Sequence, residues 1–262
     1  MSNRHLSFSS SFPTQFEDMK ILYCSSSYIQ YWNYPEAWFR YWCFYWNSTP
    51  GAWINFKSQK IELTADKIVL IPPFTPFSTG MNQNFNHFYI HFYANGILDR
   101  IRRSPIILDA ENIEESTSKI FELSGSMQLL KVYEFIFSYL DKIPAQCYLS
   151  ESEQTINPAI RKVIDLMHEN INSPVDNHYL SRQAKLGINE FYNLFKKEMH
   201  ITPLQYMLRL RLEYSSTLLR YTKLTIDKIA ENCGFADRYH FSKAFCNYFG
   251  LPPVKFRNIH EK

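Results

Sequence analysis

Two stretches of the chain place polar side chains where they could read DNA. In Arg238-Tyr239-His240-Phe241-Ser242-Lys243-Ala244-Phe245 the phenylalanines fall four apart, so they share one side of a helix and leave Arg238, Tyr239, Ser242 and Lys243 pointing outward. A guanidinium fork matches the O6 and N7 acceptors of guanine, while hydroxyl and ammonium groups suit base edges or phosphates. Fifty residues earlier, Asn189, Tyr192 and Asn193 stand in the same way beside Phe191 and Phe195, followed by Lys196 and Lys197. A single such helix is usually a solvated polar face. The repetition of the arrangement is what favours contact with double-stranded DNA.

Other chemistries find less support. His87, Tyr89 and His91 share one face of an expected strand, but a metal site needs further His or Glu ligands and no His-x-His motif exists, so they read as ordinary polar strand positions. Seven scattered glycines form neither a phosphate-cradling loop nor a dinucleotide fingerprint. Five cysteines lack any close pair and are expected as reduced thiols. No catalytic set, cofactor or metal is therefore expected. Trp32, Trp38, Trp42, Trp46 and Trp53 crowd into one stretch. Core is the commonest fate of aromatics, yet five tryptophans exceed what a small barrel needs, so they are candidate walls of an effector pocket, stacking on a sugar or another flat ligand.

A shift of 50 residues superposes Phe191 on Phe241, Phe195 on Phe245, Ile201 on Leu251, Pro203 on Pro253 and Tyr206 on Phe256, and a shift of 49 superposes Leu180 on Ile229. Each unit is a short helix, a tight turn, a second helix and then a proline that starts the next helix, the order of a helix-turn-helix. Gly234-Phe235-Ala236-Asp237-Arg238-Tyr239-His240-Phe241-Ser242-Lys243-Ala244-Phe245, followed by Tyr248-Phe249-Gly250-Leu251-Pro252-Pro253, resembles the AraC/XylS family of transcriptional regulators. The likeness covers residues 158 to 258. It extends more weakly to the family's cupin-type sensor through Ile61 to Pro76 and His91-Phe92. Lys185, Gly187 and His200 stand where the family usually has Gly, Ser and Gly, so the first turn is expected to differ in shape. The resemblance implies transcription control, as an activator working with RNA polymerase, in response to a small effector. The rival reading is a cupin-type metal-dependent isomerase or dioxygenase with a DNA-binding tail.

The elements that must position these residues follow from periodicity. Short aromatic and β-branched runs, separated by turn signals, predict strands at Tyr41 to Trp46, Trp53 to Phe56, Ile61 to Leu63, Ile68 to Ile71, His87 to Tyr93 and Ile106 to Leu108. Met127 to Leu140 predicts a helix apolar nearly all round, which needs burial on two sides and is a candidate homodimer surface. The expected fold is α+β: a cupin-like β-barrel sensor over 1–110, a helical appendage over 111–143, a linker over 144–156, and an all-α domain of two helix-turn-helix units over 157–262. Residues 1–155 carry net charge −3 and residues 156–262 carry +6, which puts the electrostatic footprint of a nucleic-acid binder on the second half. No apolar run approaches the ~18 residues of a membrane span, and Met1 to Phe16 lacks a signal-peptide core, so a cytoplasmic protein is expected.

Overall fold

The structure, a computed structural model, describes residues 19–37, 39–94, 96–150 and 156–260. Among the described residues the first half holds eight strands: β1 (Lys20–Ile29), β2 (Trp42–Asn47), β3 (Ala52–Phe56), β4 (Gln59–Leu63), β5 (Lys67–Ile71), β6 (Ser78–Met81), β7 (Phe85–Tyr93) and β8 (Ile106–Asp109). They pair antiparallel in two sheets, ordered β1-β7-β2-β5-β8 and β4-β3-β6. Two of these strands carry no clear alternation in the sequence: β1 is interrupted by Ser25-Ser26-Ser27, and β6 is Ser-Thr-Gly-Met.

All six residues of β2 are buried, because the larger sheet is covered on both faces. Trp42, Phe44 and Trp46 point one way, into a core shared with Val132, Phe135, Ile136 and Tyr139. Cys43 and Tyr45 point the other way, towards Ile54, Ile61 and Leu63 of the smaller sheet. The helices on the outer face are α1 (Ile113–Glu122) and α2 (Gly125–Leu140). One side of α2 is buried as expected, but Met127, Leu129, Leu130 and Phe137 on the other side are exposed, so the helix is covered on one face rather than two. The expected linker is held at its start: Arg102 N–H donates to Cys147 O at 2.8 Å and Ile101 bridges Tyr148, while residues 151–155 lie outside the described set.

The second half is helical: α3 (Pro158–Glu169), α4 (Asn177–Ala184), α5 (Ile188–Met199), α6 (Pro203–Tyr221), α7 (Ile226–Asn232), α8 (Arg238–Phe249) and α9 (Pro253–His260). Two separate cores divide it. Phe191, Phe195, Tyr206, Met207 and Leu210 belong to the first, and Leu212, Leu219, Phe241, Phe245 and Phe256 to the second. The long helix α6 feeds both, opening on a Thr202/Gln205 capping box with Pro203 in its first turn. The fold is thus mixed α+β, and no helix among the described residues is long and apolar enough to cross a membrane.

The first turn keeps the shape of the second despite its residues. Lys185 and His200 take left-handed conformations at φ 57° and 60°, as Gly234 and Gly250 do at φ 69° and 73°. The expected difference in shape is absent; the backbone adopts the strained region instead, at a cost of roughly 1 kcal/mol for each side chain. Lys185→Gly and His200→Gly should each raise unfolding free energy by about 0.5–1 kcal/mol in urea titrations. Gly234→Ala should lower it, since a Cβ there would lie 2.9 Å from the Asn172 carbonyl oxygen. A loss of stability in both glycine variants would mean that the Lys185 and His200 side chains hold the turn.

Candidate DNA interface and interdomain cavity

Each helix-turn-helix is set by its caps. Asp176 accepts the Tyr179 N–H at 2.7 Å to start α4, and Thr225 caps α7 in the same way. Asp237 accepts the His240 N–H at 2.8 Å to start α8, whereas α5 begins at Gly187 without a side-chain cap. Phe191, Phe195, Phe241 and Phe245 are fully buried, which fixes the rotation of α5 and α8. Asn189, Asn193, Lys196 and Lys197 are then exposed on α5, with Tyr192 half-buried. Arg238, Tyr239 and Lys243 are exposed on α8, with Ser242 half-buried. Tyr239 is 72% exposed. Asn189, Tyr192 and Asn193 occupy the same helical positions as Tyr239, Ser242 and Lys243. Arg238 is tethered across the turn to Asp227 at 3.2 Å, an exposed pair worth at most about 1 kcal/mol and easily released. Lys197 borders a cleft of about 520 Å³ between the two halves, beside Lys20, Arg103 and Glu198.

The halves are tied together at both helix-turn-helix units. Arg103 donates to the Glu198 carbonyl at 2.7 Å, Arg161 pairs with Asp99 at 3.0 Å, and Arg40 lies 3.6 Å from Asp165. On the second unit Arg209 pairs with Glu36, and the Tyr31 hydroxyl donates to the Phe249 carbonyl at the end of α8. Arg220 donates to the Tyr34 hydroxyl at 2.8 Å, and the Tyr89 and Tyr221 hydroxyls lie 3.2 Å apart.

These last contacts rim a cavity of about 460 Å³. Its floor is the inner face of the larger sheet, where His87, Tyr89 and His91 follow one another with ring centroids 5.3 and 5.0 Å apart. Tyr41 stacks on His91 at 4.8 Å, and Tyr45 leans on His87 at 4.9 Å. The roof is α6, whose Glu213, Ser216, Thr217 and Arg220 recur at helical spacing on one face. Burial drives both imidazoles down to about 3, aided at His87 by His91 and at His91 by Arg220, so both are neutral. Burial also pushes the Glu213 carboxyl up to about 8, against the lowering effects of the Tyr248 hydroxyl, which donates to Oε1 at 3.2 Å, and of Arg209.

Of the tryptophans expected to wall an effector pocket, Trp32 alone among those described lines this cavity. Trp42 and Trp46 are turned to the opposite face of β2, against α2, by strand alternation. Trp53 covers Gly80 and lies under Lys60, whose ammonium sits 3.9 Å from the ring. Trp38 lies outside the described residues. The strand positions His87 and His91, read as ordinary polar sites, instead form the cavity floor. The roof carries a visible signal in the sequence, the spacing of Glu213, Ser216, Thr217 and Arg220 on one face of α6, but nothing in the sequence shows that this face meets the sheet half.

Comparison with known proteins agrees with both halves. Residues 180–259 match the helix-turn-helix domain family. Over 134 residues the chain is 32% identical to the transcriptional regulator GbdR of Pseudomonas aeruginosa, covering 50% of this chain but 35% of that protein, so it spans about a third of that relative's length. It is 24% identical over 221 residues to the Msm operon regulatory protein of Streptococcus mutans, covering 78% of this chain and 79% of the relative. ToxT of Vibrio cholerae shares the fold over 91% of this chain and 97% of its own, with TM-score 0.69 at 12% identity.

Glu213 gives this geometry a pH signature. Its proton is kept in the folded chain but lost from the unfolded chain above the ordinary value of 4.5, so the stability it contributes is full below about pH 4.5 and is lost as pH rises to about 8. Glu213→Gln stays neutral throughout. The melting temperature of Glu213→Gln minus that of the wild type should therefore grow from pH 5 to pH 8, and a constant difference would contradict the burial of this carboxyl.

Proposed function

We propose that this chain, which belongs to the AraC/XylS family through its duplicated helix-turn-helix half, regulates transcription by binding double-stranded DNA under the control of a small effector held between its halves. The observation that carries this reading is the pair of equivalent exposed faces on α5 and α8, spaced by one continuous helix. Two such helices on one chain would enter successive major-groove segments about 10 bp apart, so a single chain reads a site without two-fold symmetry. On α8, Arg238 engages guanine while Tyr239, Ser242 and Lys243 reach neighbouring bases or phosphates. On α5, Asn189, Tyr192 and Asn193 do the same, with Lys196 and Lys197 on phosphates.

The effector site in this reading is the cavity beneath α6. ToxT has been solved with an unsaturated fatty acid bound, which supports small-molecule binding by this fold. The family likeness favours a cytoplasmic activator that contacts RNA polymerase, and the exposed Met127, Leu130 and Phe137 of α2 favour a homodimer. The rival reading of a metal-dependent cupin enzyme draws no support from the relatives named above, which are regulators.

Two variants separate base reading from anchoring, on a selected operator and on scrambled duplex. Arg238→Ala should cost about 1–3 kcal/mol on the operator and relax preference at one base position. Lys197→Ala should weaken both duplexes alike and reduce the salt slope by about one. An equal loss on both duplexes for Arg238→Ala would make that residue a backbone contact. Full-length protein that binds neither duplex at low salt would end the regulatory reading. Leu130→Glu should shift the sedimenting species from dimer to monomer, and a wild type that sediments as a monomer at high concentration removes the dimer.

A further inference from the structure

Buried polar atoms without partners gather around the cavity: Nε of Arg220, Nε2 of His87, Nε2 of His91 and Nε1 of Trp32. Arg220 decides the chemistry. Its Nη2 donates to the Tyr34 hydroxyl and its plane lies over Phe256 at 5.2 Å, but no acidic side chain among the described residues pairs with it. Burial lowers its pKa and the hydroxyls of Tyr34, Tyr221, Tyr89 and Tyr41 more than offset that, but these are neutral partners at ordinary pH rather than a carboxylate. Glu213 lies two turns back along α6, roughly 10 Å away, and is itself held protonated. A guanidinium enclosed in this way lacks the counter-charge that buried cations ordinarily have.

The far end of the floor asks for the opposite group. His87 Nδ1 lies 2.7 Å from Asn47 Oδ1, so Nδ1 carries the proton and Nε2 offers a lone pair that nothing meets. Between the two ends the cavity is lined by the rings of Tyr45, Tyr89 and His91, in mutual contact at centroid distances of 5.0 and 5.9 Å, an aromatic surface on which a planar body can lie.

We propose that the cavity takes a flat, unsaturated or aromatic carboxylate with a hydrogen-bond donor at its other end, its carboxylate on Arg220 and its donor on His87 Nε2. This rests on the reading of the cavity as the effector site, and it departs from the sugar suggested by tryptophan content. A neutral sugar has hydroxyls enough for His87 but leaves Arg220 without a counter-charge. A plain carboxylate satisfies Arg220 and leaves His87 unmet. The bidentate fit of guanidinium to carboxylate also orients the ligand along the floor.

The test uses the intact chain and four probes: 4-hydroxycinnamate, its methyl ester, cinnamate and L-arabinose, followed by tryptophan fluorescence and thermal shift. The expected result is binding of 4-hydroxycinnamate at least tenfold tighter than its ester and several-fold tighter than cinnamate, with no shift from L-arabinose. Arg220→Gln should bring acid and ester within twofold, and Arg220→Lys should keep the preference for the acid. Equal binding of acid and ester by the wild type, a shift from L-arabinose alone, or no shift from any carboxylate at 10 mM overturns the proposal, whether or not the variants fold. Gel shifts on the same preparations keep the two claims apart. DNA binding without acid binding removes the ligand assignment alone, whereas acid binding without DNA binding removes the regulatory reading and leaves the ligand site standing.

Discussion

The 19 residues of α6 must satisfy three surfaces at once, and the arrangement of the molecule follows from that requirement. Tyr206, Met207 and Leu210 close the core of the first helix-turn-helix unit, and Leu212 and Leu219 close that of the second. The remaining face presents Glu213, Ser216, Thr217 and Arg220 to the β-sheet half. An unbroken α-helix cannot shorten or bend at small cost, so the separation of α5 from α8 and the roof of the cavity are set by the same rigid element. Whatever shifts the roof must also shift one recognition helix relative to the other or to the sheets.

The ties across the halves suit such coupling. They are half-exposed ion pairs, each worth about 1 kcal/mol or less, a few hydrogen bonds such as that of Arg220 to Tyr34, and the aromatic contacts of Tyr34 with Phe249 and Tyr23 with Tyr221. A ligand that favours one arrangement by 1–3 kcal/mol is enough to redistribute such states. Tyr31, bonded to the last carbonyl of α8, and Phe249, which lines the cavity, bring the end of a recognition helix into the wall of the ligand space.

The helical half was largely legible in the sequence because its information is local and repeated. Phenylalanines four apart, a glycine or its substitute at each turn, and a proline opening the next helix are all short-range signals. Lys185 and His200 show that the backbone shape is held by the packing on either side, even where the residue is unfavourable. In the sheet half, β1 and β6 escaped notice since serines and small residues carry no period. The tryptophans misled because composition does not tell which face of a strand a residue occupies: Trp42 and Tyr45, three apart on β2, end in different cores. The cavity was least legible of all, as its floor and roof are more than a hundred residues apart in the chain.

On this reading α6 joins ligand space and DNA interface into one mechanical unit. Hydrogen exchange of the full chain with and without operator duplex tests it most directly. Altered protection is expected in β7 at residues 85–93 and along α6, together with protection of α5 and α8. Changes confined to α5 and α8, with β7 and α6 unaffected at saturating DNA, would contradict it.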